Sequence, residues 1–330
     1  MHKIFRVVSL LALCFLLIAP LSVHAQDDST PYVGGIWATP CEDSSTLALY
    51  MTIANDAEDA PPLLLSGASS PIASTITMVA GGCDAETLES IDIPAGEILT
   101  FDDSDLALLV ELAEDHADAE AFSFTLTFDV LDENSEPTDE ALDLILGAPV
   151  QDEAPPATDL RITGAWVRPT ASGMMMDMDM DAEGDDMDMD SEGDDMDMDA
   201  EGEDMAMDDE MDMGAPMFPS AAFMRLRNDS DTPLLLMSAS SPVSGVTELH
   251  TTQMENDVMR MIPITDGIEL PAGEWVNFQP GGLHVMLLDL QRDLVPGDAV
   301  PLTLTFESGE EITLVIPVYE PDMMDMDMGE

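Results

Sequence analysis

The 330-residue sequence carries 8 Lys and Arg against 69 Asp and Glu, a net charge of −61. Such a charge repels nucleic-acid phosphates and anionic lipid surfaces, which excludes them as partners, and it concentrates cations. It equally suits plain solubility or a saline habitat, and the length is enough for two domains with linkers to spare. The first 25 residues read as a secretory signal: Lys3 and Arg6 give a positive start, 7–21 is almost wholly apolar, and Val23-His24-Ala25 offers small residues for cleavage before Gln26. A lipid anchor at Cys14 is the alternative, but Leu13 stands where a small residue should precede a lipidated cysteine. No later run reaches the roughly 20 apolar residues needed to cross a bilayer, so an exported chain with no integral membrane segment is expected, periplasmic or extracellular. Loss of the leader removes the one lysine and leaves Cys41 and Cys83, which an oxidising compartment should bridge.

Two stretches of the chain repeat in the same order. Gly35-Ile36-Trp37 matches Gly164-Ala165-Trp166, and Tyr50-Met51-Thr52-Ile53-Ala54-Asn55 matches Phe223-Met224-Arg225-Leu226-Arg227-Asn228. Ala68-Ser69-Ser70-Pro71 matches Ala239-Ser240-Ser241-Pro242, Ile91 to Glu97 matches Ile268 to Glu274 through a shared Pro-Ala-Gly-Glu, and Leu126-Thr127-Phe128 matches Leu304-Thr305-Phe306. Five collinear matches point to two copies of one domain, at 26–147 and 158–320, joined by a Pro-containing linker at 148–157. Both copies read as all-β: Phe122, Phe124, Leu126 and Phe128, and likewise Leu302, Leu304 and Phe306, alternate with polar residues as in strands with one buried face. Short strands broken by Pro and Gly signals predict tandem Greek-key sandwiches or small barrels.

The second copy is interrupted at 172–219 by a tract of Met, Asp, Glu and Gly, in which a nine-residue unit starts at Asp181, Asp190 and Asp199; a smaller version ends the chain at 321–330. Dense single-sign charge without β-branched or aromatic residues predicts disorder for the tract. Its Met-x-Met spacings offer flexible thioethers to Cu(I), as auxiliary ligands: Met176, Met178 and Met180, then Met187 with Met189, Met196 with Met198, and Met205 with Met207. A solvating tract is the plainer explanation, yet such tracts rarely alternate with an apolar, oxidisable residue. Asp177, Asp179 and Asp181 mimic the start of a calcium loop, but Ala182 sits at its glycine position.

In the second copy His250 is followed after ten residues by Met261, then after twenty-two by His284, then after one by Met286. His284 and Met286 stand two apart in an apolar strand and so share a face, while His250 and Met261 would come from a neighbouring strand and its following loop. Two imidazoles and two thioethers make a neutral, soft donor set that favours Cu(I) over Mg, Ca or Zn. Any one of these residues alone is more often packing than ligand. Together with Gly164-Ala165-Trp166-Val167-Arg168-Pro169, Ser240-Ser241-Pro242, Glu248-Leu249-His250, Met259-Arg260-Met261 and the run Pro280 to Leu287, they resemble the signature of PCuAC copper chaperones. That family's motif is close to H-x10-M-x21-H-x-M, so the middle spacing here is one residue longer, and the pattern favours Met261 over Met259 as ligand. The resemblance implies a cupredoxin-like domain with an exposed Cu(I) site that delivers copper to the cytochrome c oxidase copper centre or its assembly factors. Aligned to the first copy, His250, His284 and Met286 fall on Val79, Ala107 and Leu109, so the first copy keeps the fold without the ligands. No hydrolase triad, phosphate loop or paired catalytic carboxylates appear, which argues against an enzyme. The rival functions are copper sequestration by the methionine tract and a purely structural surface protein.

Overall fold

The computed structural model describes residues 30–42, 45–57, 60–132, 134–170, 218–255 and 258–321. Residues 1–29 with the expected signal within them, almost all of the Met/Asp insertion and the tail from 322 on lie outside the described residues. So do all of the auxiliary thioethers expected from the insertion: Met176, Met178, Met180, Met187, Met189, Met196, Met198, Met205 and Met207.

The described chain is almost all strand. The first half runs β1 (Tyr32–Pro40), β2 (Thr46–Ala54), β3 (Leu63–Ser69), β4 (Ala73–Ala80), β5 (Glu86–Leu88), β6 (Ile91–Ile93), β7 (Ile98–Phe101), β8 (Ala107–Leu112), β9 (Ala121–Leu131) and β10 (Pro137–Pro149). The second half runs β11 (Leu160–Val167), β12 (Ser220–Asn228), β13 (Leu234–Ser240), β14 (Ser244–Glu255), β15 (Val258–Pro263), β16 (Ile268–Leu270), β17 (Trp275–Phe278), β18 (Leu283–Leu290), β19 (Ala299–Phe306) and β20 (Glu311–Pro317). In the first half one sheet has the order β1-β2-β8-β4-β5, with β7 also on β2, and the other has β10-β9-β3-β6. Adding ten to each number gives the pairings of the second half, which gains one parallel contact of β17 with β18. Each half is therefore a sandwich of two sheets, and among the described residues neither closes into a barrel.

The repeated sequence segments do the same structural work in both halves. Asn55 and Asn228, both fully buried, donate through Nδ2 to the carbonyls of Pro61 and Thr232 at 2.8 and 2.7 Å. Their backbone carbonyls accept from the N–H of Gly96 and Gly273, each at 2.7 Å, in the Pro-Ala-Gly-Glu turns. Those two glycines have φ of +79° and +73°, a left-handed conformation that a side chain would strain. Gly35 and Gly164 likewise sit at φ +61° and +57°, inside register shifts of β1 and β11. An extra residue in one strand re-aims the side chains that follow it. Trp37 and Trp166 come next and lie against Tyr50 and Phe223, with ring centroids 5.0 and 4.5 Å apart.

Strand alternation builds the cores. In the second half Leu226, Leu249, Val285, Leu287, Leu302, Leu304 and Phe306 interdigitate between the sheets, and in the first half Phe122, Phe124, Leu126 and Phe128 do the same. Burial of this apolar surface, about 25 cal/mol per Å², is the main term holding each sandwich. Cys41 and Cys83 form a disulfide across 42 residues, tying the end of β1 to the β4–β5 hairpin. The halves meet through Arg161, whose guanidinium binds Asp56 of the first half at 3.1 and 3.2 Å and lies 4.7 Å over the Tyr32 ring. Arg161 holds the Asp56 carboxyl below the usual carboxylate range. Ser123 Oγ donates to the Gly297 carbonyl at 2.6 Å across the same boundary.

Candidate metal centre

β18 is buried on both faces. Val285 and Leu287 enter the inter-sheet core, while His284 and Met286, on the other face, are covered by a small cluster of Trp166, Ala221 and Phe223. β14 runs antiparallel beside β18 and places His250 directly opposite His284, and Glu248 directly opposite Met286. Residues facing each other across an antiparallel pair, and residues two apart on one strand, project from the same side. His250, His284, Met286 and Glu248 therefore form one group, and the two imidazole centroids are 5.6 Å apart.

The hydrogen bonds of the two imidazoles leave one nitrogen on each unused. His284 Nδ1 is 3.1 Å from the Gly282 carbonyl, which can only accept, so Nδ1 carries the proton and Nε2 holds a free lone pair. His250 Nε2 lies 2.7 Å from Glu248 Oε2, where a carboxylate acceptor fixes the opposite tautomer and leaves Nδ1 free. Both free nitrogens, His250 Nδ1 and His284 Nε2, are buried and have no hydrogen-bond partner. A buried acceptor without a partner costs about 1–3 kcal/mol, which a fold tolerates for a reason. Metal-ligating histidines characteristically hand their second nitrogen to a carboxylate or a backbone carbonyl, as these two do. Burial pushes the His284 imidazole below the ordinary histidine value; the Gly282 carbonyl works against that, and His250 and Arg168 add to it. The lowered value favours the neutral ring, protonated on Nδ1 and with the Nε2 lone pair available to a cation.

Met261 lies on β15, not in a loop as its place in the sequence suggests. It faces Thr252 of β14, and β15 pairs with β14 without a register shift. Thr252 is two residues beyond His250, so Met261 projects from the same side as the imidazoles, one step along the hairpin, and it is exposed. The structure thus brings His250, His284 and Met286 together and sets the exposed Met261 beside them. Sequence reasoning assigned no role to Glu248, Gly282 or Phe223, although Glu248 two residues before His250 was a readable same-face signal. Glu248 is engaged by His250 Nε2, and among the described residues no three His, Cys, Asp or Glu side chains are placed so that they could hold a metal ion between them. The donors on this face, imidazole and thioether, are soft in character.

The first half provides an internal comparison. Val79 stands directly opposite Ala107, and Thr77 opposite Leu109, in the register that His250, His284, Glu248 and Met286 occupy. Val79 and Ala107 are buried with Ala48 and Tyr50 in an apolar cluster, with Trp37 and Leu109 packed against it.

Two imidazoles and a thioether thus lie together on the outer face of a two-sheet sandwich, with a second, exposed thioether beside them. Several known proteins resemble parts of this chain. The model of a family described as putative lipoprotein LpqE-like matches residues 160–318, the second half with its insertion. A putative lipoprotein of Leifsonia xyli subsp. xyli is 30% identical over 101 residues, 31% of this chain and 61% of the relative. An uncharacterized Rickettsia prowazekii protein is 29% identical over 92 residues, 28% of this chain and 51% of the relative. The chain thus spans only about half to three fifths of the length of these relatives. Among solved structures, a copper-bound PCuAC domain from PmoF2 is 21% identical, covering 51% of this chain and 98% of that one at a TM-score of 0.29. The copper(I) form of DR1885 from Deinococcus radiodurans is 32% identical, covering 32% of this chain and 69% of that one at a TM-score of 0.26.

Proposed function

We propose that this chain is an exported Cu(I)-binding protein of the PCuAC type, in which His250, Met261, His284 and Met286 hold the ion and release it to an extracytoplasmic acceptor. The observation that carries this reading is the pair of buried, partnerless nitrogens on His250 and His284, residues that stand opposite one another on adjacent strands beside Met286. The similarity to proteins named as lipoproteins supports export to the cell envelope. The matching strand orders support an origin by duplication, with the first copy carrying an apolar cluster where the second carries ligands.

The proposed chemistry is ligand exchange. Cu(I) bound by neutral donors leaves no buried charge unpaired when it departs, so transfer carries no large electrostatic penalty. Thiolates are softer and anionic, and an acceptor presenting two of them draws the ion downhill. Met261, exposed on an edge strand, is the donor an incoming thiolate displaces first. A copper centre of the respiratory oxidase, or a protein that assembles it, fits this acceptor chemistry. The methionine insertion at 172–219 would raise local capture of copper.

A competitive Cu(I) titration of the mature chain, beside one lacking 172–219, tests this reading. About one tight equivalent should survive the deletion and move to a dithiol acceptor on mixing. Several equivalents that vanish with the deletion would instead make the chain a copper store.

A further inference from the structure

The β14–β15 hairpin is longer than its counterpart in the first half, and its extension is lined on one side by methionine. β4 and β5 pair only from Met78 to Ala80, and the disulfide from Cys83 in their connection ties that short hairpin to Cys41. β14 and β15 pair from His250 out to Glu255, opposite Val258. On the side that carries the imidazoles, the paired positions beyond His250 are Thr252 with Met261, then Met254 with Met259. Three of those four side chains are thioethers, and Met254, Met259 and Met261 are 69, 65 and 55% exposed. Exposed apolar side chains gathered on one face mark a place of interaction. Here every one of the three is also a soft-metal donor.

Spacing fixes their relation to the imidazoles. At about 3.4 Å per residue, Met254 and Met259 lie about 14 Å along the strand from His250, with Met261 about halfway between. A flexible thioether at the midpoint can reach either way. The first half, with Val79 and Ala107 in place of the histidines, has neither the extension nor the methionines. Ligands and methionine hairpin are therefore present together or absent together in two domains of the same strand order.

We propose that Met254 and Met259, with Met261, form a second Cu(I) site on the β14–β15 hairpin that captures the ion from solution and passes it through Met261 to His250 and His284. Three exposed thioethers make a weak, fast-exchanging site, and handing over within one hairpin makes the next step intramolecular. The role as an entry to the histidines rests on the Cu(I) reading of that pair; binding by the three methionines does not.

The test uses the full mature chain with 13C-labelled methionine methyls and Cu(I) supplied as its acetonitrile complex. In a His250→Val/His284→Ala background the Met254, Met259 and Met261 methyl resonances should still shift together, and Met254→Leu and Met259→Leu identify them. In the parent background, Met254→Leu/Met259→Leu keeps apolar bulk, and it should slow loading of the histidine site about tenfold while its equilibrium affinity stays within about twofold. Methyls of Met254 and Met259 that stay fixed while other methionines respond would overturn the second site. An unchanged loading rate would overturn the relay. If these methyls shift but Met286 and the imidazoles of the parent never respond, the hairpin site stands and the histidine-site reading fails.

Discussion

Replacing His250 by Val and His284 by Ala should abolish tight Cu(I) binding while leaving the apo protein folded at least as well as the parent. The two substitutions install what the first half carries at the same register positions, Val79 and Ala107, which are buried in an apolar cluster. They also remove two buried nitrogens that have no partner, each costing the apo fold about 1–3 kcal/mol. Four-donor structural zinc sites are worth about 10–16 kcal/mol, and on that scale two donors of four carry several kcal/mol, each 1.4 kcal/mol being tenfold. The affinity measured against a Cu(I) chelator should therefore fall on the order of a thousandfold or more, while the thermal midpoint without metal is unchanged or higher. The milder Glu248→Gln keeps the shape of the group that orients His250 but weakens it as an acceptor, and should cost about 10- to 100-fold in affinity. A double variant that binds as the parent does would remove the histidines from the site. One that unfolds without metal would show instead that the imidazoles serve packing.

Cys41→Ser/Cys83→Ser should destabilise the first half strongly and leave the copper site untouched. The bridge closes a loop of 42 residues, and constraining a loop of that size in the unfolded chain is worth about 4 kcal/mol in the chain-entropy treatment. The loss falls on a hairpin with only three paired positions beyond its turn, β4 with β5. The proposed copper ligands all lie in the second sandwich, which has its own core. Denaturation followed by Trp37 against Trp166 fluorescence, each isolated by replacing the other tryptophans with Phe, should show the first half melting earlier and the second half little changed. Equal loss in both halves would mean that the contacts through Arg161 and Ser123 couple them into one cooperative unit.

How much of this was legible in the sequence depends on whether the physics is local. Strand alternation, the tandem all-β organisation and the repeated Pro-Ala-Gly-Glu turn depend on near neighbours, and they read directly from residues such as Phe122 to Phe128 and Asn55 with Gly96. The same-face placement of His284 and Met286 follows from their spacing of two. That His250 stands opposite His284, and Met261 on a strand one step away, depends on inter-strand register, which is set by the whole sandwich and not by the segment itself. The partners that fix the tautomers, Glu248 and the Gly282 carbonyl, were invisible for the same reason. Histidines two residues from a carboxylate or a glycine are common, and only the unpaired nitrogens that remain give those neighbours meaning. The methionine hairpin was overlooked because Met254 and Met259 are five apart in sequence; antiparallel pairing makes them neighbours.

X-ray absorption at the copper edge, on the chain loaded with one equivalent of Cu(I), tests the central claim most directly. Two imidazole nitrogens together with thioether sulfur should surround the ion, and the nitrogens should disappear in His250→Val/His284→Ala. A shell of sulfur and oxygen alone, the same in parent and variant, would place the bound copper outside the sandwich and contradict the account.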